Sequence, residues 1–210
     1  MELPLTPREV LTTTRSVRKR LDFARPVERD IVEDCLSIAF QAPNGSNQQQ
    51  WDWVLVDDAG RRAEMATIYR AGLADHLALP DRQAYTVQDR QNQIATSVYH
   101  LIEHLHEVPV LVVPCLTTRF EGASVFEQAS HWGSILPAVW SFMLALRTRG
   151  MGSAWTTLHL HREAEMAELL GIPFAEVTQA GLFPVAYTIG TDFSPANRAA
   201  SNDAIHWNHW

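Results

Sequence analysis

The sequence predicts a chain of alternating helices and strands, of the α/β or α+β class, folded on one mixed sheet. Three observations carry this. Ile31, Val32, Cys35, Leu36 and Ala39 recur at helical spacing. Residues 51–56, Trp-Asp-Trp-Val-Leu-Val, are aromatic and branched in the manner of a strand. Residues 108–116 form a continuous apolar run of strand length, which predicts a strand buried on both faces. There is no internal repeat, and the alternation of helices with strands predicts one mixed sheet.

The remaining elements follow in chain order. Thr6-Pro7-Arg8-Glu9 opens a helix: Thr6 can cap, Pro7 suits the first helical position and Glu9 closes a capping box. That helix is expected to reach about residue 14. The second helix, after Pro26, stops before the turn cluster Pro43-Asn44-Gly45-Ser46-Asn47. A helix is expected over 59–73, then a stretch without clear period over 74–89. Residues 91–106 read as a helix with Ile94, Val98, Leu101, Ile102 and Leu105 on one face. Residues 126–147 read as a long central helix with Ile135, Leu136, Val139, Trp140, Met143 and Leu144, which Pro137 should kink or interrupt. A short strand over 153–158, a helix over 162–170 and a strand over 180–189 complete the core. The last residues, His206-Trp207-Asn208-His209-Trp210, put two tryptophans at a free end, which predicts docking on a partner surface.

Composition excludes several function classes. The 210 residues carry 17 Lys+Arg against 24 Asp+Glu, a net charge of −7. A nucleic-acid or anionic-membrane surface needs the opposite excess. Sixteen of the 17 cations are arginine, and seven of the 17 fall in the first 29 residues. Two distant cysteines, Cys35 and Cys115, imply no disulfide framework and fit a reducing compartment. With no apolar core behind a basic start and no bilayer-length run, a cytoplasmic location is expected.

Some apparent motifs fail on their chemistry. His100-Leu101-Ile102-Glu103-His104 matches a zinc-protease pattern, but no third ligand stands out downstream. Ser16-Val17-Arg18-Lys19 matches S-x-x-K, yet Lys19 is the only lysine, so the K-T-G element of that enzyme class cannot exist. Gly150-Met151-Gly152 lacks the third glycine of a dinucleotide fingerprint.

One constellation survives. Thr14-Arg15-Ser16-Val17-Arg18 holds two guanidiniums and a hydroxyl, a set that can bind phosphate through forked and single hydrogen bonds. Residues 42–51, Ala-Pro-Asn-Gly-Ser-Asn-Gln-Gln-Gln-Trp, follow, with Pro43, Asn47, Gln49 and Trp51 in the register of an A-P-S-x-x-N-x-Q-P-W element. Asn44 and Gln50 depart from it. Gly150-Met151-Gly152-Ser153-Ala154-Trp155, Leu169-Leu170-Gly171-Ile172-Pro173, residues 183–190, Arg198 and Trp207 continue in order. This series resembles the nitroreductase family of FMN-dependent enzymes over nearly the whole chain.

The resemblance implies an α+β fold with a mixed central sheet flanked by helices, in an intertwined homodimer. It implies a single FMN-binding domain over 1–210, with 191–210 as a C-terminal arm. Arg15, Ser16 and Arg198 would hold the FMN phosphate, and Arg18 would lie near the ribityl chain or pyrimidine edge. Thr156, Thr157 and Leu158 would contact the ring, while Pro43, Asn44, Gly45 and Asn47 would come from the second subunit. The implied activity is transfer of hydride from NAD(P)H through FMN to an electron-poor small molecule, such as a nitroaromatic or quinone. Dehalogenation, deazaflavin use and flavin binding without turnover stay open. No catalytic side chain and no metal are expected. His159 is a candidate proton donor or a ring-edge or surface histidine, and the acceptor lid falls in 74–89 or 119–126.

Overall fold

The computed structural model describes residues 2–79, 89–198 and 204–210. Its helices are α1 (Pro7–Thr13), α2 (Arg29–Ala39), α3 (Ala59–Leu77), α4 (Asp89–His104), α5 (Val125–Thr148) and α6 (Glu163–Leu170). Its strands are β1 (Trp51–Val56), β2 (Val110–Leu116), β3 (Met151–Gly152), β4 (Thr178–Gln179) and β5 (Phe183–Tyr187). The strand order is β1-β2-β5-β3, with β4 also on β2. The pairs between named strands are antiparallel, with Val56 opposite Leu111 and Val112 opposite Phe183. A parallel bridge between Ser16 and Ser153 makes the sheet mixed.

The apolar run of β2 does what its composition predicts. Every residue from Val110 to Leu116 is buried. Val110, Val112 and Leu116 join a core under α2 and α5, while Leu111, Val113 and Cys115 join a second core under α3 and α4. Side chains alternate across a strand, so a strand covered on both faces must be apolar throughout. Thr6 caps α1 through the capping box with Glu9, and Ser124 caps α5 in the same way with Glu127.

Five expectations need correction. α3 continues to Leu77, so residues 74–77 are helical; residues 80–88 lie outside the described residues. α5 runs through Pro137 unbroken, and its Trp140 is 41 % exposed rather than central. Ile94 is exposed on α4, unlike Leu101, Ile102 and Leu105. The expected strand over 153–158 is shorter and earlier: β3 ends at Gly152, only Ser153 and Thr156 make isolated bridges, and residues 158–162 form a 3₁₀ turn. That turn packs directly against α3. A Cβ at Gly72 would lie 2.1 Å from the Leu158 carbonyl oxygen, so the backbones touch. Likewise the strand expected over 180–189 is shorter: β5 spans Phe183–Tyr187, beyond Gly181, which takes φ +153°.

Candidate functional site

Residues 14–22 leave α1 and run along the sheet end. The Val17 amide donates to Ser153 O at 2.8 Å, the Asp22 amide to Tyr187 O at 2.8 Å and the Ile189 amide to Arg20 O at 2.8 Å. Gly152 permits this approach: a Cβ there would lie 2.8 Å from Thr188 Cγ2 and 2.9 Å from Val17 Cβ. Arg15, Ser16 and Arg18 are thereby held beside β3. Ser16 is exposed, while Arg15 and Arg18 are half-buried.

Arg18 has no carboxylate within ion-pair distance among the described residues. Burial pushes its guanidinium below the ordinary value, and the Tyr69 hydroxyl opposes that shift. Tyr69 is itself pushed up by burial, partly offset by its hydrogen bond to Thr156. Arg18, Tyr69 and Thr156 therefore share one neighbourhood.

Thr156 is buried, and its Oγ1 donates to Leu182 O at 2.7 Å, in a backbone bridge to the same residue. Its side chain anchors the segment. Thr157 is exposed, and Leu158 is half-buried in the second core. Pro43, Asn44, Gly45 and Asn47 stand elsewhere, in an exposed loop that no described hydrogen bond links to residues 14–18 or 156–158. Asn44 Oδ1 accepts from the Gln49 amide at 3.0 Å, and Ser46, Asn47 and Gln49 all take positive φ. Three non-glycine residues in the left-handed region mark a shaped loop rather than a slack one.

The C-terminal segment reaches the same sheet end. Arg15 Nη2 donates to Ser194 O. Arg20 bonds Ile189 O at 2.8 Å and Asp192 at 2.6 Å, and its guanidinium lies over the Phe193 ring. Arg198, further along, is exposed and makes no described contact with Arg15 or Ser16.

Two side chains differ from expectation. His159 is fully buried rather than a surface histidine. Burial pushes its pKa down to about 3, so it is neutral. Gln179 acts on it electrostatically, but neither ring nitrogen makes a hydrogen bond of normal geometry. Arg147, which the sequence reading missed, is buried at 5 % exposure. Its signal was its spacing: Ile135, Val139, Met143 and Arg147 fall four apart on α5 and are all buried. Both cysteine thiols are pushed up to about 12 by burial, which leaves them inert. No group of three or more metal-ligating side chains occurs among the described residues, so the His100–His104 pair holds no such site; those rings pack with Phe23. No described helix is long and apolar enough to cross a membrane.

The model of the Nitroreductase family matches residues 11–187. The chain belongs to the nitroreductase family. Members of this family are flavoenzyme oxidoreductases. The 5,6-dimethylbenzimidazole synthase of Rhodospirillum rubrum is 28 % identical over 137 residues, which cover 63 % of this chain and 61 % of that protein. A BluB-like flavoprotein from Clostridium difficile 630 superposes with TM-score 0.72 at 15 % identity, over 98 % of this chain and 100 % of that one. The FMN and NADPH-dependent nitroreductase from Sphigopyxis sp. strain HMH superposes with TM-score 0.71 at 19 % identity, over 98 % and 100 %. At such identities the two structures establish the nitroreductase-like fold alone.

Proposed function

We propose that this chain is an FMN-dependent oxidoreductase that uses NAD(P)H to reduce an electron-poor small molecule, such as a nitroaromatic or quinone. The observation that carries the reading is the carboxylate-free Arg15-Ser16-Val17-Arg18 segment, fastened to Ser153 beside Thr156. Half-buried guanidiniums without counter-ions fit an anionic ligand, and the Arg15 Nε is buried without a partner. In this reading Arg15, Ser16 and Arg198 hold the FMN phosphate. Arg18 faces the ribityl chain or pyrimidine edge, where a cation favours a reduced, anionic flavin. Thr156 fixes the segment through Leu182 O, so that exposed Thr157 and the Leu158 backbone meet the ring.

Bound FMN supplies hydride acceptance from the nicotinamide and hydride delivery to the acceptor. The chain's residues bind, orient and shield that exchange, and none is assigned as acid or base. Buried, neutral His159 is a poor proton donor at neutral pH.

The reading includes a homodimer that completes the site. The loop with Pro43, Asn44, Gly45 and Asn47 is largely exposed, and no described hydrogen bond links it to residues 14–18, which supports its service to a second copy. Val125 and Phe126 on α5 are 83 % and 79 % exposed, and Trp207 and Trp210 are 82 % and 98 % exposed. Large exposed apolar groups of this kind mark interaction surfaces. The whole chain then acts as one FMN-binding domain, with 191–210 as an arm.

A second reading keeps FMN and changes the acceptor. The sequence match to 5,6-dimethylbenzimidazole synthase favours it. The test is direct. Purified protein should be yellow and release FMN on denaturation, and anaerobic NADH or NADPH should bleach the bound flavin rapidly. Bleaching followed by turnover across nitroaromatics and quinones supports the first reading; bleaching with no turnover of these acceptors supports the second. A flavin that stays oxidised with both nucleotides sinks the NAD(P)H assignment.

A further inference from the structure

The end of α5 carries a feature that the family motifs do not account for. Arg147 is buried at 5 % exposure, yet no carboxylate lies within ion-pair distance among the described residues. Its Nε and Nη2 each reach Thr13 Oγ1 at 3.3 Å, and Nη2 donates to Thr191 O at 3.0 Å. The guanidinium carbon lies 5.0 Å from the Phe193 ring centroid. Its Nη1 has no partner. A buried arginine held only by neutral groups is costly unless something anionic completes it.

A cavity stands where that completion is needed. It measures about 10 Å³ and is lined by Thr13, Arg15, Arg147, Gly152, Ser153 and Phe193, among others. That is room for about one water-sized sphere. Three of the residues around it carry buried polar atoms without partners: Arg147 Nη1, Arg15 Nε and Ser153 Oγ. Eight buried side-chain atoms lack partners among the described residues, and three belong to this one cavity. All three can donate, which selects a negatively charged or strongly accepting atom.

We propose that this cavity is an anion subsite in which Arg147 and Ser153 join Arg15 around one phosphate oxygen of the flavin. The proposal rests on the FMN reading above and adds two ligands to it. Arg147 is the buried charge of the subsite, and Thr13 and Thr191 O fix its fork. Ser153 is presented by the same backbone that bridges Ser16 and pairs with Val17.

The experiment compares FMN with riboflavin, which lacks the phosphate, by fluorescence titration of full-chain apoprotein. Arg147→Met should weaken FMN at least tenfold and leave riboflavin within about twofold. Ser153→Ala should weaken FMN about threefold, and Arg147→Lys should recover part of the loss. If Arg147→Met does not fold, Arg147→Lys and Ser153→Ala carry the comparison. Equal loss for both flavins, or no loss for either, overturns the proposal and leaves an internal water in the cavity. Should the wild type bind neither flavin, the FMN reading falls, and inorganic phosphate decides the subsite. At constant ionic strength a phosphate-dependent rise in Tm that Arg147→Met loses, or that Arg147→Lys and Ser153→Ala reduce, keeps it; no such rise removes it.

Discussion

Two groups of arginines in this protein are held in different ways. Around α6, cations are met by carboxylates. Arg119 bonds Glu163 at 2.9 Å, and Arg162 bonds Asp75 at 2.7 Å and Glu165 at 2.9 Å. Glu163 also accepts from the Gln179 amide at 2.9 Å, which ties α6 to β4. Around β3, Arg15, Arg18 and Arg147 are as enclosed, yet meet hydroxyls, carbonyls and aromatic faces. Charge paired within the fold holds the fold. On the proposed reading, the charge left unpaired beside a cavity serves a ligand, which would offset its desolvation.

The largest expected effect tests that division. Arg15→Ala should lower FMN affinity by about 2–5 kcal/mol, the range for truncating one partner of a desolvated charge pair. Unfolding should move little, because Arg15 makes one described hydrogen bond to the fold, to Ser194 O. Arg119→Ala should do the reverse, lowering Tm while FMN affinity stays within threefold. A flavin titration and a thermal melt on both variants suffice. If both change the same property, the two regions are not distinct.

Next in size is the close approach that positions the unpaired region. Gly152→Ala would put a methyl 2.8 Å from Thr188 Cγ2 and 2.9 Å from Val17 Cβ, and both neighbours belong to packed backbone segments. A cost of about 1–3 kcal/mol is expected in urea unfolding, as for other overpacked cores. FMN affinity should fall with it, because Val17 separates Ser16 from Arg18. Unchanged affinity at reduced stability would detach the segment's register from the site.

How much of this was legible in the sequence follows from how local each cause is. The burial of β2 on both faces and the capping box of α1 were readable because their determinants lie within a few residues. The motif segments at 14–18 and 150–155 were readable as motifs, and the structure brings them side by side. The turn that replaces the expected strand over 153–158 was not, because it packs against Gly72, some 80 residues away in sequence. Arg147 reads at sequence level as a basic residue in the last turn of a helix, where a cation complements the dipole. Only its position on the apolar stripe separates it from a solvated one. The extension of α3 to Leu77 had no apolar periodicity to announce it, since its buried residues are few and include Gly72.

His159 sets a pH test for the paired region. Its folded pKa of about 3 lies below the ordinary 6.5, and burial is the main cause. Between those values the unfolded chain takes a proton that the folded chain refuses. Stability should therefore fall as pH drops below 6.5, by about 1.4 kcal/mol per unit for one such group. Carboxylates held low by their partners, Asp75 among them, lose stability in the same direction, but only nearer their own range. Urea unfolding between pH 6.5 and 5 reads His159 together with His100, whose pKa burial also lowers, and His159→Leu should reduce the slope there. A slope unchanged by the substitution would assign the effect to other groups.

The smallest effect asks whether pairing alone is enough to hold the fold. Arg29 and Asp57 form a two-point ion pair, with Nε–Oδ2 at 2.6 Å and Nη2–Oδ1 at 2.8 Å. The geometry is better than that of Arg119 with Glu163, and the hydrogen bond pushes Arg29 up and Asp57 down. The side chains are 77 % and 39 % exposed, however, against 16 % and 15 % for Arg119 and Glu163. Water and salt screen the first pair and reach the second far less. Asp57→Asn should therefore leave Tm unchanged within scatter at physiological salt, while Glu163→Gln lowers it by several degrees. Equal shifts would mean that geometry rather than burial decides what an ion pair contributes here, and the contrast between the two arginine regions would then need a different basis.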